Sequence, residues 1–210
     1  MTNVFKGQTA VSSGLGVSGR VVSGIVQLGE AVQPVPGDEY GVVRAIEMDR
    51  EVPNWAAAGA NVTLYLGNIE ANQITVGSVL CSPASPIPLC ASALVQVLVF
   101  QPTYPLVKGA AVELFHHSAD IPAQLVELVA LLDKGSGEVI KRNPRVLPHN
   151  ATALVRVNLR HPASRAGGGG YPLEDFKSNK EMARLLFRMG GESVAAGIVM
   201  EAVSYTHLTL

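Results

Sequence analysis

The chain has 210 residues, a formal net charge of −1, and 48% hydrophobic against 16% charged residues. That balance excludes intrinsic disorder and any global field drawing the chain to nucleic acid or an anionic membrane, so RNA contact has to be local. With 21 Gly and 13 Pro, short strands joined by turns are favoured over long helices.

The opening residues, Met1 to Gly7, carry neither the apolar core of a signal sequence nor transit-peptide character, which predicts a cytoplasmic protein. Residues 17–28 have mostly strand-like alternation, and residues 19–30, punctuated by Gly19, Gly24 and Gly29, read as a β-hairpin. Further strands are expected at 40–48 and 61–66, with turns at Gly37-Asp38, Pro53-Asn54 and Gly67-Asn68. Short strands at this spacing predict a small barrel.

Pro83, Pro86 and Pro88 then interrupt any ladder and predict a stiff linker. Residues 93–100 and 111–117 read as strands beyond it. Residues 121–133 fit a strand or one helical face, and the hairpin tip Lys134-Gly135-Ser136-Gly137, leading directly into 138–140, favours the strand. Strands follow at 151–159, 184–189 and 193–203, the last two flanking Gly190-Gly191. The run Gly167 to Gly170 reads as a flexible surface insertion, and residues 204–210 as a tail that continues no pattern, either natural or the read-through of a cloning adaptor, the second being favoured. The most apolar run, 125–132, falls short of the about 20 residues a bilayer-spanning helix needs. The prediction is an all-β chain of two consecutive small β-barrels, residues 1–85 and 86–203.

Few motifs carry chemistry. Gly14-Leu15-Gly16-Val17-Ser18-Gly19 matches the dinucleotide fingerprint, with Asp38 and Glu39 at the expected distance. That fingerprint needs a helix N-terminus facing the pyrophosphate, and a β-type run follows here instead. No Gly-x-x-x-x-Gly-Lys-[Ser/Thr] or Asn-Lys-x-Asp occurs, so nothing cradles phosphate or reads guanine. His116, His117 and Asp120 are the one neighbourhood where a stand-alone enzyme could place a metal or proton relay. Adjacent strand residues point to opposite faces, which favours a structural histidine instead. Cys81 and Cys90 match no zinc spacing; a single disulfide is the alternative to the favoured reading, two buried thiols in a reduced compartment. No catalytic, cofactor or metal residue is assigned. Lys134, Lys141, Arg142 and Arg145 gather around the Gly135 hairpin with His149 beyond. Lys141, Arg142 and Arg145 are the candidate phosphate contacts to RNA or a ribosome, without aromatic residues interleaved for base stacking; a solvated hairpin face is the alternative.

Several stretches occur in one order along residues 3–203: Gly19 to Glu30, Trp55-Ala-Ala-Ala-Gly59, Val76 to Cys81, Phe115-His-His-Ser-Ala-Asp120-Ile-Pro122, Lys134 to Val139, Pro144 to Leu147, and Arg184 to Val199. Together they resemble the second and third domains of translational GTPases of the elongation factor one-alpha superfamily. The Trp55, Gly77 and Gly190-Gly191 stretches are most similar to the HBS-like branch, ahead of the release-factor-three type and elongation factor one-alpha itself. The resemblance implies a role in translation and rescue of stalled ribosomes, a pelota-type release-factor-like partner, and ribosome contact. It implies GTP and Mg²⁺ in the parent protein only, with no enzyme activity in this chain. It also implies that the first barrel starts late, with its opening strand truncated. A gene fragment with no independent role is the remaining alternative. The Gly167 run departs from the family pattern.

Overall fold

The computed structural model describes residues 1–8, 13–49, 51–100, 103–160 and 170–204. The Gly-rich run lies outside these apart from Gly170, as does the tail apart from Ser204. Apart from one short 3-10 turn at Ala71–Gln73, the regular structure of the described residues is all strand, and the chain divides into two compact units. One comprises Met1–Ile87 with His117–Ala119; the other takes Pro88–His116 and the residues from Asp120 onward.

The first unit holds β1 (Asn3–Gln8), β2 (Ser13–Arg20), β3 (Ile25–Gln27), β4 (Ala31–Val35), β5 (Gly41–Glu47), β6 (Trp55–Ala57), β7 (Asn61–Gly67) and β8 (Val79–Cys81). Six of them form one sheet in the order β1-β2-β7-β5-β4-β8, all antiparallel. Its inward residues are Leu15 and Val17 from β2 and Leu64 and Leu66 from β7, two apart on each strand, with Val43 and Ile46 from β5, where a register shift between Val43 and Ala45 displaces the alternation by one. Fully burying each such side chain contributes about 1.5–3 kcal/mol, which is what makes the register one-sided.

Residues 19–30 do not form the expected hairpin. β2 ends at Arg20, and β3 pairs with β6 in the register Ile25↔Ala57, Val26↔Ala56, Gln27↔Trp55. Between them the Val21 amide donates to the Ala60 carbonyl and the Ala58 amide to the Gly24 carbonyl. Thus β2–β3 and β6–β7 run together as one long, interrupted ribbon. Gly24, at φ 74°, bends the chain where an L side chain would be strained. Period-two alternation marks a strand but does not name its partner, and that ambiguity is the source of the misreading. β1 was passed over as well, because Val4 and Phe5 are its only large apolar residues.

The second unit holds β9 (Leu89–Val99), β10 (Leu106–Val107), β11 (Ala111–His116), β12 (Ala119–Leu132), β13 (Val139–Arg142), β14 (Val146–Leu147), β15 (Thr152–Leu159), β16 (Tyr171–Pro172), β17 (Arg184–Met189) and β18 (Glu192–Ser204). The order β11-β17-β18-β9-β15-β12 closes on itself because β12 also pairs with β11. A closed ring leaves no edge within its six strands. β13 hangs from the far end of β12 and β16 from β9. Residues 121–133 therefore belong to a strand and not a helix, and the alternating burial of Ile121, Ala123 and Leu125 continues the pleat into the core. The fold is all-β, with two barrel domains, as the sequence predicts.

Candidate functional site

The basic hairpin is built outward from the ring. β12 runs past its barrel partners and pairs with β13 through Ala130↔Arg142, Leu131↔Lys141 and Leu132↔Val139. Its tip is set by Asp133, whose Oδ2 accepts from the Ser136 amide at 2.8 Å, the Gly135 amide at 2.9 Å and the Ser136 hydroxyl at 3.2 Å. The Ser136 amide first, then the Gly135 amide and the Ser136 hydroxyl, hold the Asp133 carboxyl below the usual carboxylate range. A folded-state value below the unfolded one, about 3.9, means that the tip gains support above that pH. It loses that support as pH falls through the lowered value. The Gly135 and Ser136 amide resonances should therefore titrate with a midpoint below the ordinary aspartate value, and Asp133→Asn should abolish the titration.

All four β13 side chains are exposed. Lys141 and Arg142 are consecutive on a strand, so they point to opposite faces of the ribbon. Arg145 follows the buried Pro144, just before Val146↔Val107 and Leu147↔Leu106 anchor β14 to β10. Continuing that register places Lys108 opposite Arg145, a further exposed cation that sequence reasoning missed because it comes from a distant strand. None of Lys141, Arg142 and Arg145 has an ion-pair or side-chain hydrogen-bond partner among the described residues. Val139, Ile140 and Val146 are exposed between the charges. The surface can therefore neutralise phosphates along an edge, with no Phe, Tyr or Trp ring between residues 133 and 150 for bases to stack on.

The other candidates dissolve into structure. His116 is 1% exposed, its Nε2 is 2.9 Å from the Met182 carbonyl oxygen, and its ring meets Tyr171 edge-on at 5.5 Å. His117 is not on a strand: it sits in a turn at φ 51°, exposed. Asp120 is exposed on β12. The three do not converge, and no group of three or more His, Cys, Asp or Glu residues is placed to hold a metal among the described residues. The fingerprint glycines lie inside β2, paired with β1 on one side and β7 on the other, so no helix N-terminus stands behind them. A Cβ on Gly14 would fall 2.7 Å from the Leu66 carbonyl oxygen. These glycines allow close packing of the barrel wall. Cys81 is only half-buried, contrary to expectation, with its Sγ 3.7 Å from the Gln33 carbonyl oxygen, whereas Cys90 is buried with its Sγ 3.5 Å from the Leu173 carbonyl oxygen. No helix among the described residues is long and apolar enough to cross a membrane.

Known proteins share this arrangement. The family model for Elongation factor Tu domain 2 matches residues 14–81, and the GTP-eEF1A C-terminal domain-like model matches residues 92–200. The chain is 31% identical over 199 residues to Protein HBS1 of Drosophila melanogaster, covering 95% of this chain and 28% of that protein. It is 31% identical over 184 residues to Elongation factor 1-alpha of Cenarchaeum symbiosum (strain A), covering 87% and 40% respectively. A crystal structure of sup35 complexed with GDP superposes with a TM-score of 0.82 at 20% identity, over 91% of this chain and 45% of that one. The chain thus spans less than half the length of these relatives. The nucleotide-binding domain is not in this chain, whose residues contain neither of the short phosphate and guanine motifs. By the two consecutive matches and the paired barrels that underlie them, the chain belongs to the elongation factor 1A/elongation factor Tu-like translational GTPases, of which it carries the second and third domains.

Proposed function

We propose that these barrels are the partner- and ribosome-binding module of an HBS-like translational GTPase acting in the rescue of stalled ribosomes. The observation that carries this reading is 31% identity to Protein HBS1 across 95% of the chain. On this reading the partner is a pelota-type release-factor-like protein and the setting is the cytoplasm. GTP and Mg²⁺ belong to the parent protein's nucleotide-binding domain, and this chain contributes no catalytic group. Residues 1–85 and 86–203 are the two domains, with 204–210 an appended tail. An elongation factor 1-alpha type module is the second reading, favoured by 31% identity over 87% of the chain. Binding of a pelota-type protein, measured by pull-down, separates the two; failure to bind by a cooperatively folded chain would remove the HBS-like assignment.

Lys141, Arg142 and Arg145 are proposed as the phosphate contacts of this module. Support comes from their exposure and from the lack of any carboxylate partner among the described residues. Each phosphate neutralised contributes about 0.7–0.9 to the slope of log affinity against log salt. Replacing all three with alanine should therefore lower the slope for ribosome binding by about 2–3. Each exposed substitution should leave stability within about 0.5 kcal/mol of the parent chain. Co-sedimentation with ribosomes over a salt series reads the slope, and an unchanged slope would remove the trio from the interface.

A further inference from the structure

Among the described residues, the ribbon of β3 and β6 leaves an apolar face exposed. Directly opposed residues share a face, so Ile25 and Gln27 lie with Ala57 and Trp55, while Val26 and Ala56 face the core. Trp55 is the chain's only tryptophan, and it is 57% exposed, with Ile25 diagonal to it at 56%. Leu28 and Val52 extend the exposure at the Trp55 end, where the Leu28 amide donates to the Asn54 carbonyl. Contiguous exposed apolar side chains of this size mark interaction surfaces, and tryptophan is enriched among the residues that dominate them.

The charge around the ribbon decides what can dock. Three carboxylates are placed beside it, Glu30, Asp49 and Glu51, while Arg50, between the last two in sequence, lies outside the described residues. Glu30 sits on the ribbon itself, its Oε2 accepting from the Gln27 amide at 2.9 Å. Exposed Asp49 lies in the turn closed by the bridge Met48↔Glu51, and exposed Glu51 leads directly into Val52. Such a rim repels phosphate and attracts ammonium and guanidinium groups, the reverse of the Lys141 hairpin. We propose that the outward face of the β3–β6 ribbon docks a basic, apolar segment of a partner protein, with Trp55 and Ile25 as its apolar anchors and Glu30, Asp49 and Glu51 as its charged rim.

The single tryptophan supplies the readout. The full chain is titrated with a synthetic peptide of Lys and Leu lacking Trp and Tyr, with the same peptide carrying Glu for Lys, and with poly(U). The expected result is a saturable blue shift of Trp55 emission with the Lys/Leu peptide alone, weakened by added salt. Ile25→Ser should weaken that binding at least about tenfold, as loss of an interface anchor does. Leu98→Ser, at an exposed apolar site on β9, should leave it unchanged. Both sites are exposed, and circular dichroism checks that each variant folds. The proposal is overturned by the absence of a shift, by equal affinity for the Glu/Leu peptide, or by tighter binding of poly(U). It is also overturned if Ile25→Ser binds as tightly as the parent chain, or if raising the concentration of the chain alone reproduces the blue shift, which would make the occupant a second copy.

Discussion

Replacing Phe187 with alanine is expected to lower the stability of the second unit by about 3–5 kcal/mol, the range for emptying a buried phenylalanine site. Phe187 is 1% exposed on β17, and its cross-strand neighbours are Leu114 on β11 and Ala195 on β18. Ala195 is too short to fill the space, and Leu114 is itself fully enclosed, so the cavity persists instead of collapsing. Against a total of about 5–15 kcal/mol for an ordinary domain, this loss is large enough to bring the ring near its unfolding threshold at physiological temperature. A denaturant melt checks it. Ile140→Ala provides the contrast, since Ile140 is 67% exposed on β13 and should cost no more than about 0.5 kcal/mol. Equal losses from the two would mean that the inward face of β17 has been misidentified.

Gly197 should tolerate no side chain. A Cβ there would lie 2.7 Å from Val95 Cγ1 and 2.9 Å from both the Gln96 carbonyl oxygen and Val97 Cγ1. The backbone contact is the decisive one. Gly197 is paired with Val97 on β9 and Leu185 on β17, so the Gln96 carbonyl cannot retreat without opening a ladder on which the ring depends. Gly197→Ala is expected to cost about 1–3 kcal/mol, as overpacking does, and Gly197→Val more. The denaturant midpoint should fall with an unchanged slope if the native ring survives. A midpoint for Gly197→Ala matching that of the parent chain would show that β9 and β18 do not approach this closely.

What the sequence revealed followed from burial. Ala111–His116 alternates between core and solvent, so a period of two was enough to identify it, whereas β12, whose apolar residues also fit a helical face, was identified by the hairpin tip that follows it. The β3–β6 pairing was not legible, because its apolar residues include an outward-facing pair, Ile25 and Trp55, that imitates the pattern of a core strand. The same confusion hid the ribbon's exposed face. The hairpin cations were legible as a cluster in sequence, but Lys108 was not, since only the β10–β14 register brings it opposite Arg145. His116 and His117 were legible as neighbours, yet their separation depends on the left-handed turn at His117, which no local preference specified.

The partners of β9 also set an order of assembly. β9 is hydrogen-bonded to β15 along one edge and to β18 along the other, the latter ladder running from Ala195↔Val99 to Ser204↔Cys90. These are pairings between the first and last strands of the unit, which makes ring closure a late, slow event. A ribosome elongating at about 5–20 residues per second would take roughly 5–20 s to add the stretch separating them. Throughout that interval β9 presents an unpaired, valine-rich edge to its surroundings. Until β18 has left the exit tunnel, the second barrel exists only as an open sheet, vulnerable to strand exchange with neighbouring nascent chains.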